Sequence, residues 1–213
     1  MLEYWKEDGL HIVKVEKKRR MELIPCLREG ELLVHTYNRL KKEGADLPIS
    51  MVNANFFHLE GGYSISGMKY SDGTVIERSL NGYFVYCDQT GQVNINTEKG
   101  KKIADFLSMR WALESSPLLL PDLLASGQME ATIAAESHPR TAIGIAEEHM
   151  ILAVTDGRPA GLTCRELAAH MRRLGCRTAL NLDGGRSSQL VVDGKQMNRQ
   201  WMRRKVFAAL AIY

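Results

Sequence analysis

Short apolar runs separated by polar turns fill the first part of the chain. The runs LHIVKVEK (10–17) and MELIPCL (21–27) are typical of β-strands, and we interpret them as a strand pair. In the segment 31–44 the apolar residues instead fall on one helical stripe that ends at Gly44, which predicts a helix. The run PISMVNANFF (48–57) predicts a short strand that passes into a polar loop.

The C-terminal half has the clearest pattern. TAIGIAEEHMILAVT (141–155) predicts two strands joined by a short turn. Thr163 and Glu166 have the spacing of a capping box, so a helix is expected to begin there. A further strand is predicted at 178–182. Residues 150–182 therefore predict a β–loop–α–β unit.

The middle of the chain, from 61 to 96, is rich in Gly, Ser and Asn, and its short β-prone runs predict hairpins. Together the elements predict an α+β fold, with a mixed β-sheet, a C-terminal β-α-β unit and flanking helices in a single compact domain over 1–213. We expect N-terminal strands and a helix at about 10–60, a β-rich insertion at 61–110, and a core that carries the motifs at 111–213.

Composition and charge narrow the class of protein. The 213 residues are 45% apolar and 25% charged, and a formal net charge of +3 gives no electrostatic reason to expect nucleic acid. No nucleic-acid-binding motif occurs, and no apolar run is long enough to span a bilayer. The start has no signal-peptide pattern, so a cytoplasmic location is expected, with secretion open if a signal was removed. The four cysteines lack zinc-type spacing, which predicts free thiols.

The β–α–β unit predicts that two polar loops lie side by side. A strand–helix–strand crossover makes its two strands parallel, so both end at the same edge of the sheet. The first strand is followed by Asp156 and Arg158, and the second by Asp183 and Arg186. Ligands of open α/β sheets bind beyond the carboxyl ends of the strands, so this edge is the predicted binding cleft.

The residue types in these loops suit an anionic, hydroxyl-rich ligand. Arginine forks bind phosphate or carboxylate, glycines allow close backbone approach, and serines add neutral donors. These groups are Arg158, Arg186, Gly184, Gly185, Ser187 and Ser188. Asp156 and Asp183 can bind sugar hydroxyls, act as base or nucleophile, or share a metal, and nearby arginines are expected to keep both ionised.

Several of these residues also have a purely structural interpretation. Asp-Gly and Gly-Gly pairs mark ordinary turns, as we predict for Asp193 and Gly194. His138 precedes Pro139 in an extended loop, where a histidine is commonly a structural hydrogen-bonding residue. Glu114 can be a solvated charge beside a loop.

Several strings in one order add a family resemblance. They are NANFF (53–57), SHPRTAIGI (137–145), TDGRPAGLT (155–163) and ELAAHMRRLGCRTALNLDGGRSSQL (166–190), followed by Asn198 and by Arg203 and Arg204. With these strings the chain, from about residue 10 to its end, resembles the phosphodiester glycosidase family. The resemblance implies a hydrolase that removes a sugar, such as N-acetylglucosamine, from a sugar-1-phosphodiester.

The resemblance also implies site residues. The positions that match the family's strings are Asn53, His138, Arg140, Asp156, Arg158, Asn181, Asp183, Gly184, Gly185, Ser187 and Ser188. Glu114 falls in a loosely corresponding loop. Arg186 stands where the commonest family sequence has a third glycine, so it can add a phosphate contact or narrow the pocket.

A mechanism can be written for these residues. A departing phosphate monoester needs little protonation but strong cationic donors. The candidate donors are Arg140, Arg158 and Arg186. Asp183 is the preferred nucleophile or general base. Asp156 or Glu114 would orient water or sugar hydroxyls, and His138 would pass a proton.

Two other functions remain open. The site can cut the P–O bond with Asp156 and Asp183 holding a divalent cation, as in a phosphodiesterase. It can also bind a glycan or cell-wall polymer without turnover. The glycosidase hypothesis requires no cofactor, although a divalent cation is compatible with it. The expected partner is a small-molecule or glycan phosphodiester, and the sequence predicts no oligomeric state.

Overall fold

In the computed structural model, the described residues are 1–58, 64, 66–76, 82–99, 107–123, 135–157 and 161–213. These residues contain sixteen strands and two ten-residue α-helices. The strands are β1 (Leu2–Glu7), β2 (Leu10–Glu16), β3 (Met21–Pro25), β4 (Ser50–Asn53), β5 (Met68–Lys69), β6 (Val75–Ile76), β7 (Tyr83–Cys87), β8 (Val93–Ile95), β9 (Trp111–Ser115), β10 (Leu118–Leu120), β11 (Thr141–Ile145), β12 (His149–Thr155), β13 (Thr178–Asn181), β14 (Leu190–Val192), β15 (Lys195–Gln196) and β16 (Ala208–Ile212). The helices are α1 (Leu33–Lys42) and α2 (Cys164–Arg173), and a short 3-10 turn spans Gly185–Ser187.

Six strands form the first sheet, in the order β1-β2-β12-β11-β13-β10. Every neighbouring pair in it is antiparallel. Because β11 pairs with both β12 and β13, these two strands run parallel to each other and end at the same edge. The predicted shared edge is therefore confirmed, although β11 lies between the two strands that the β–α–β pattern joins.

The other two sheets have the orders β15-β14-β4-β16-β3 and β6-β5-β9-β7-β8. The predicted pairing of residues 10–17 with 21–27 is wrong, because β2 pairs with β1 and β12 whereas β3 pairs with β16. The partner strands β1 and β16 were not predicted from the sequence. Two strands that are consecutive in the chain therefore belong to different sheets.

The predicted α+β class is wrong, because the fold is mostly β. All described strand pairs are antiparallel, so the sheets are not mixed. Each helix covers a face of one sheet. Leu33 of α1 packs with Met51 of the second sheet, and Leu167 of α2 packs with Ile151 of the first. The hairpins predicted in the middle of the chain add to β9 and complete a third sheet.

One apolar cluster joins the three sheets. It includes Val13 and Leu152 of the first sheet, Leu210 of the second, and Val85 and Trp111 of the third, all without solvent exposure. Burial of an aliphatic side chain of this size stabilises the fold by about 1.5–3 kcal/mol relative to leaving it exposed. The cluster therefore gives the loops at the edge of the first sheet a closely packed base.

The capping box predicted for α2 is confirmed. The hydroxyl of Thr163 accepts a hydrogen bond from the Glu166 amide (3.2 Å), and the Glu166 carboxylate accepts one from the Thr163 amide (2.8 Å). A cap of this kind stabilises a helix by about 1 kcal/mol. It fixes where α2 begins, directly after the strand β12 and the loop that carries Asp156.

Two further expectations concern thiols and membranes. The four cysteines are free, as predicted. None of the helices in the described ranges is both long and apolar enough to cross a bilayer. The cytoplasmic location stays a prediction.

Candidate active site

The ends of β12 and β13 bring two polar loops together. The Asn198 side chain bridges them, because its amide nitrogen donates to the carbonyls of Thr155 (3.2 Å) and Ser188 (2.9 Å). The Leu182 amide donates to the Thr141 carbonyl (2.8 Å), which continues the sheet up to the second loop. The loops that begin at residues 156 and 183 are therefore two sides of one site.

Asn53 supports the second loop from below. Its amide nitrogen donates to the Asp183 carbonyl (2.6 Å), and its oxygen accepts from the Thr141 hydroxyl (2.9 Å) and the Gln189 amide (3.0 Å). The Asp183 amide donates to the Ala54 carbonyl (3.3 Å). Because Asn53 is fully buried and its polar atoms bind the chain, it positions the loop that presents Asp183.

Asp183 has an unusual proton affinity. Burial raises the pKa of its carboxyl group to about 7. The nearby Ser187 hydroxyl and Gly184 amide, together with the positive charge of Arg204, lower the pKa but do not offset the effect of burial. The expectation that Asp183 stays firmly ionised is therefore wrong, because the loss of hydration outweighs the nearby positive charge.

The two glycines after Asp183 let the loop pack closely against residues 138–140, which we call the HPR string. A side chain on Gly184 would place its Cβ 2.8 Å from the Pro139 carbonyl oxygen, so only glycine fits. Gly185 has φ of +61°, and its amide donates to the same carbonyl (2.7 Å). The Gly185 amide, which the sequence suggested as an anion donor, is thus hydrogen-bonded within the protein.

Buried polar groups surround this turn. The Asn181 side chain donates to the carbonyls of Ser116 and Leu182 (both 2.9 Å). Ser187 and Ser188 are completely buried below the turn. Among the described residues, no hydrogen-bond partner is found for the Asn181 side-chain oxygen or the Ser188 hydroxyl.

Asp156, at the end of β12, is the centre of a buried network. Its carboxylate accepts hydrogen bonds from Lys6, from His11 (2.8 Å) and from the Arg199 amide (2.6 Å), and the other nitrogen of the His11 ring contacts the Tyr4 hydroxyl (2.8 Å). Burial raises the pKa of Asp156, but the hydrogen bonds outweigh this effect, so the pKa lies below its usual value. Asp156 is thus ionised, as predicted, although its partners are not arginine side chains.

Lys6 and His11 were missed in the sequence. They face each other across the β1–β2 hairpin, whose turn is formed by Asp8 and Gly9 with positive φ at both residues. An Asp-Gly pair between two alternating runs is a standard hairpin signal, so this pairing could have been predicted.

Glu114 lies in the third sheet, on β9. Its two carboxylate oxygens accept hydrogen bonds from the amides of Gly67 (2.9 Å) and Gly82 (2.6 Å). The next residue, Ser115, donates its hydroxyl to the Asn181 carbonyl (2.6 Å). Glu114 is thus a buried carboxylate that fixes two loops beside the site, whereas the solvated charge considered in the sequence is ruled out.

The HPR string turns inward. The Arg140 guanidinium is buried and donates to the carbonyls of Leu162 (2.9 Å) and Glu136 (2.7 Å), and burial lowers its pKa. The His138 ring is half-buried and contacts the Glu136 carboxylate (2.8 Å). In this arrangement Arg140 holds the backbone on which Gly184 rests.

Two arginines lie on the outer side of the site. Arg186 is exposed, and its Nε donates to the Met202 carbonyl (3.1 Å), while its carbonyl accepts from the Arg204 amide (2.8 Å). Arg204, which lowers the pKa of Asp183, is one of the residues that carry the family resemblance, but no role in the site was predicted for it from the sequence. Arg158 lies outside the described residues. Within those residues, no group of three or more His, Cys, Asp or Glu side chains is arranged to hold a metal ion.

The sequence profile of the phosphodiester glycosidase family matches residues 46–213, most of the chain. The chain belongs to the phosphodiester glycosidase family. The matched range includes both loops of the site and the strands that support them. None of the curated proteins matches the chain.

Solved structures share the fold of this chain. The catalytic domain of zebrafish N-acetylglucosamine-1-phosphodiester alpha-N-acetylglucosaminidase, solved auto-inhibited by its pro-peptide, matches with a TM-score of 0.78 at 18% identity, over 100% of this chain and 81% of that one. A hypothetical protein from Synechocystis matches with a TM-score of 0.60 at 15% identity, over 99% and 61% of the two chains. A protein from Burkholderia pseudomallei K96243 matches with a TM-score of 0.62 at 15% identity, over 95% and 73%.

Proposed function

We propose that the protein hydrolyses the glycosidic bond of a sugar-1-phosphodiester and releases the free sugar and a phosphate monoester. The observation that carries the proposal is Asp183, a carboxyl group with a pKa of about 7 at the shared edge of β12 and β13. A group with this pKa exchanges protons readily near neutral pH, as general acid–base catalysis requires. We propose N-acetylglucosamine as the sugar, because the zebrafish relative is named for it.

The chemistry requires a base more than an acid. Water adds to the anomeric carbon while the bond from that carbon to the bridging oxygen breaks, through an oxocarbenium-like state. The oxygen leaves with the bonding electrons as part of a phosphate monoester. Because this leaving group is already a stable anion, no protein group has to protonate it. Asp183 acts as the general base and takes the proton of the attacking water.

We assign the phosphate side of the substrate to Arg204 and Arg186. Arg204 is the cation whose charge acts on Asp183, and Arg186 flanks the same loop on its exposed side. A guanidinium binds a phosphate with two parallel hydrogen bonds, and these strengthen as negative charge builds on the departing oxygen. Arg158, outside the described residues, remains a proposed third donor.

The other predicted residues receive positioning roles. Asp156 is held by Lys6 and His11, and both oxygens of Glu114 bind backbone amides. We therefore propose that they fix the loops around the substrate. His138, which is half-buried and pairs with Glu136, is proposed to order the HPR string.

Phosphorus and proton NMR of reaction mixtures test the proposal. The substrate is an α-linked N-acetylglucosamine-1-phosphodiester, incubated with wild type and with Asp183→Asn, each with and without a chelator. We expect free sugar and a phosphate monoester from wild type only. Sugar-1-phosphate plus an alcohol would instead identify a phosphodiesterase, and tight binding without any product would identify a glycan-binding protein.

The anomeric configuration of the first product tests the role of Asp183. General-base catalysis on water gives the inverted β-anomer, which proton NMR detects before it equilibrates. A retained α-anomer would require a covalent intermediate and would make Asp183 a nucleophile instead.

A further inference from the structure

One segment, 199–204, lies across both loops of the site, and we call it the rim. The Arg199 carbonyl accepts a hydrogen bond from the Gly157 amide (2.5 Å), in the loop after β12. The Gln200 side chain donates to the Gly185 carbonyl (2.5 Å), in the loop after β13. The rim therefore borders the position where a ligand of Asp183 would extend out of the site.

The tip of the rim exposes a large aromatic side chain. Trp201 is 98% exposed, and its neighbour Met202 is 56% exposed. The other two tryptophans are less exposed: Trp111 is fully buried and Trp5 is half-buried. Tryptophan exposed beside a binding site is typical of ligand recognition, because its indole ring offers a large flat surface with little conformational freedom to lose.

Positive charge flanks the exposed indole. The basic residues on or next to the rim are Arg186, Arg199, Arg203, Arg204 and Lys205. In the part of the chain that the structure describes, none of these side chains forms a salt bridge. One phosphodiester carries a single negative charge, which one or two guanidinium groups can bind. The remaining cations therefore fit further negative charge on the ligand, outside the reacting phosphate.

We propose that Trp201 and the flanking cations form a leaving-group subsite, which binds a substrate whose phosphate is attached to an anionic glycan. This inference rests on the proposed glycosidase function. A sugar ring of the leaving group stacks its C–H face on the indole of Trp201. A second phosphate or a carboxylate on that glycan binds Arg203 and its basic neighbours.

The small size of the apolar tip favours a glycan over a lipid surface. Trp201 and Met202 form a small apolar tip, whereas stable membrane attachment requires a long apolar face or two separate anchors. The indole also lies next to residues that contact the site loops, so a ligand that binds Asp183 reaches it without a second protein element.

Two substrates with the same sugar but different leaving groups distinguish an effect on leaving-group binding from an effect on the reaction itself. In one substrate the phosphodiester links the sugar to a methyl group. In the other it links the sugar to a hexose that carries a second phosphate. We expect Trp201→Ala to lower kcat/KM for the hexose-phosphate substrate about tenfold more than for the methyl substrate, which is the size of a lost aromatic stacking contact. Trp201→Phe should keep most of the wild-type preference for the hexose-phosphate substrate. Arg203→Ala should make that preference depend less on salt.

A binding measurement keeps the two proposals distinguishable. In Asp183→Asn protein, the Trp201 indole N–H signal is followed by NMR while the hexose-phosphate substrate or anionic phospholipid vesicles are added. A shift with the former and not the latter supports the subsite, even if wild type cleaves neither substrate and the glycosidase proposal fails. A shift with vesicles alone overturns the inference in favour of a membrane surface, and so does no shift with either probe.

The matched control is Lys18→Ala, which removes an exposed cation from the turn after β2, far from the rim. It should leave the preference between the two substrates unchanged. If Trp201→Ala lowers kcat/KM equally for both substrates, the indole acts on the reacting sugar and the leaving-group assignment is wrong.

Discussion

The two ends of the first sheet both carry many charged residues. At the site end, β12 and β13 run into the loops with Asp156 and Asp183. At the opposite end, which we call the turn end, the chain turns after β2 and after β11, and an open groove is lined by charged residues such as Glu16, Lys17 and Glu147. Charge content alone therefore does not distinguish the two ends.

The difference lies in the surroundings of the charges. At the turn end Glu16 pairs with Lys18 and the N-terminal amine in water, and these partners lower its pKa to about 2. At the site end Asp156 is buried and hydrogen-bonded by three groups, and burial raises the pKa of Asp183 to about 7. Exposed pairs are screened by salt, whereas buried groups are screened much less. Perturbed proton affinity that is caused by burial is therefore the better sign of a functional site.

The largest effect is expected from Asp183→Asn. The amide keeps the shape of the carboxyl group but cannot accept a proton from water, so kcat should fall about 10²–10⁴-fold, as for a lost general base. Initial rates of sugar release measure the loss. A variant that retains wild-type rates would show that Asp183 is not the general base. The two ends of the sheet would then differ in burial but not in a demonstrated function.

The stability of the same variant should also change with pH in a defined direction. Because the folded pKa of Asp183, about 7, lies above the usual value for aspartate, folding favours its protonated form. The stability this provides is full below pH of about 4 and is lost as pH rises through 7. Asp183→Asn should therefore gain stability relative to wild type between these pH values, measured as Tm. A loss of stability at pH 8 would contradict burial as the cause.

The pH dependence of turnover is the next effect in size. A general base must be ionised, so kcat/KM should fall about tenfold for each pH unit below 7 and level off above it. Arg204→Gln removes a charge that lowers the pKa of Asp183, so the rising limb should move to higher pH. Rates measured from pH 5 to 9 at constant ionic strength test both statements. A limb that stays in place in the variant would show that Arg204 does not act on the base.

Asp156→Ala should cost stability more than any change at the turn end. It leaves the buried His11 ring and the Arg199 amide without their partner, and loss of one member of a buried pair costs about 3 kcal/mol. Lys6→Ala should cost only about 1 kcal/mol, because Lys6 is partly exposed. Urea unfolding at pH 7 measures both. Because the pKa of Asp156 is lowered, the cost should shrink as pH falls below about 4.

The sequence predicted the site end better than the fold class. The reason is that the elements of the site end depend on local sequence patterns, whereas the fold class depends on contacts between distant segments. The capping box at Thr163, the hairpin 141–155 and the loops after residues 155 and 182 are local patterns, and all appear where they were expected. The order of strands depends on pairings between distant segments. Nothing local shows that β11 lies between β12 and β13, or that β2 and β3 separate into different sheets.

The same limit applies to the candidate site residues. Their types and order follow from the sequence, but burial decides what each side chain does. Arg140 was predicted as a phosphate donor, and its guanidinium is buried with donors directed at backbone carbonyls. Asp183 was expected to be ionised, and desolvation raises its pKa instead. Desolvation depends on residues from several strands, so no single motif encodes it.

The smallest effect is expected at the turn end, from Arg177→Ala. Arg177 and Glu147 form an ion pair of 2.8 Å, but both side chains are about 70% exposed, so the pair should contribute about 0.5 kcal/mol or less. Urea unfolding should show this small loss disappearing in high salt, while turnover stays at the wild-type rate. If Arg177→Ala instead destabilises the protein as much as Asp156→Ala does, exposure does not separate the two ends of the sheet. Burial could then no longer be used to assign the site.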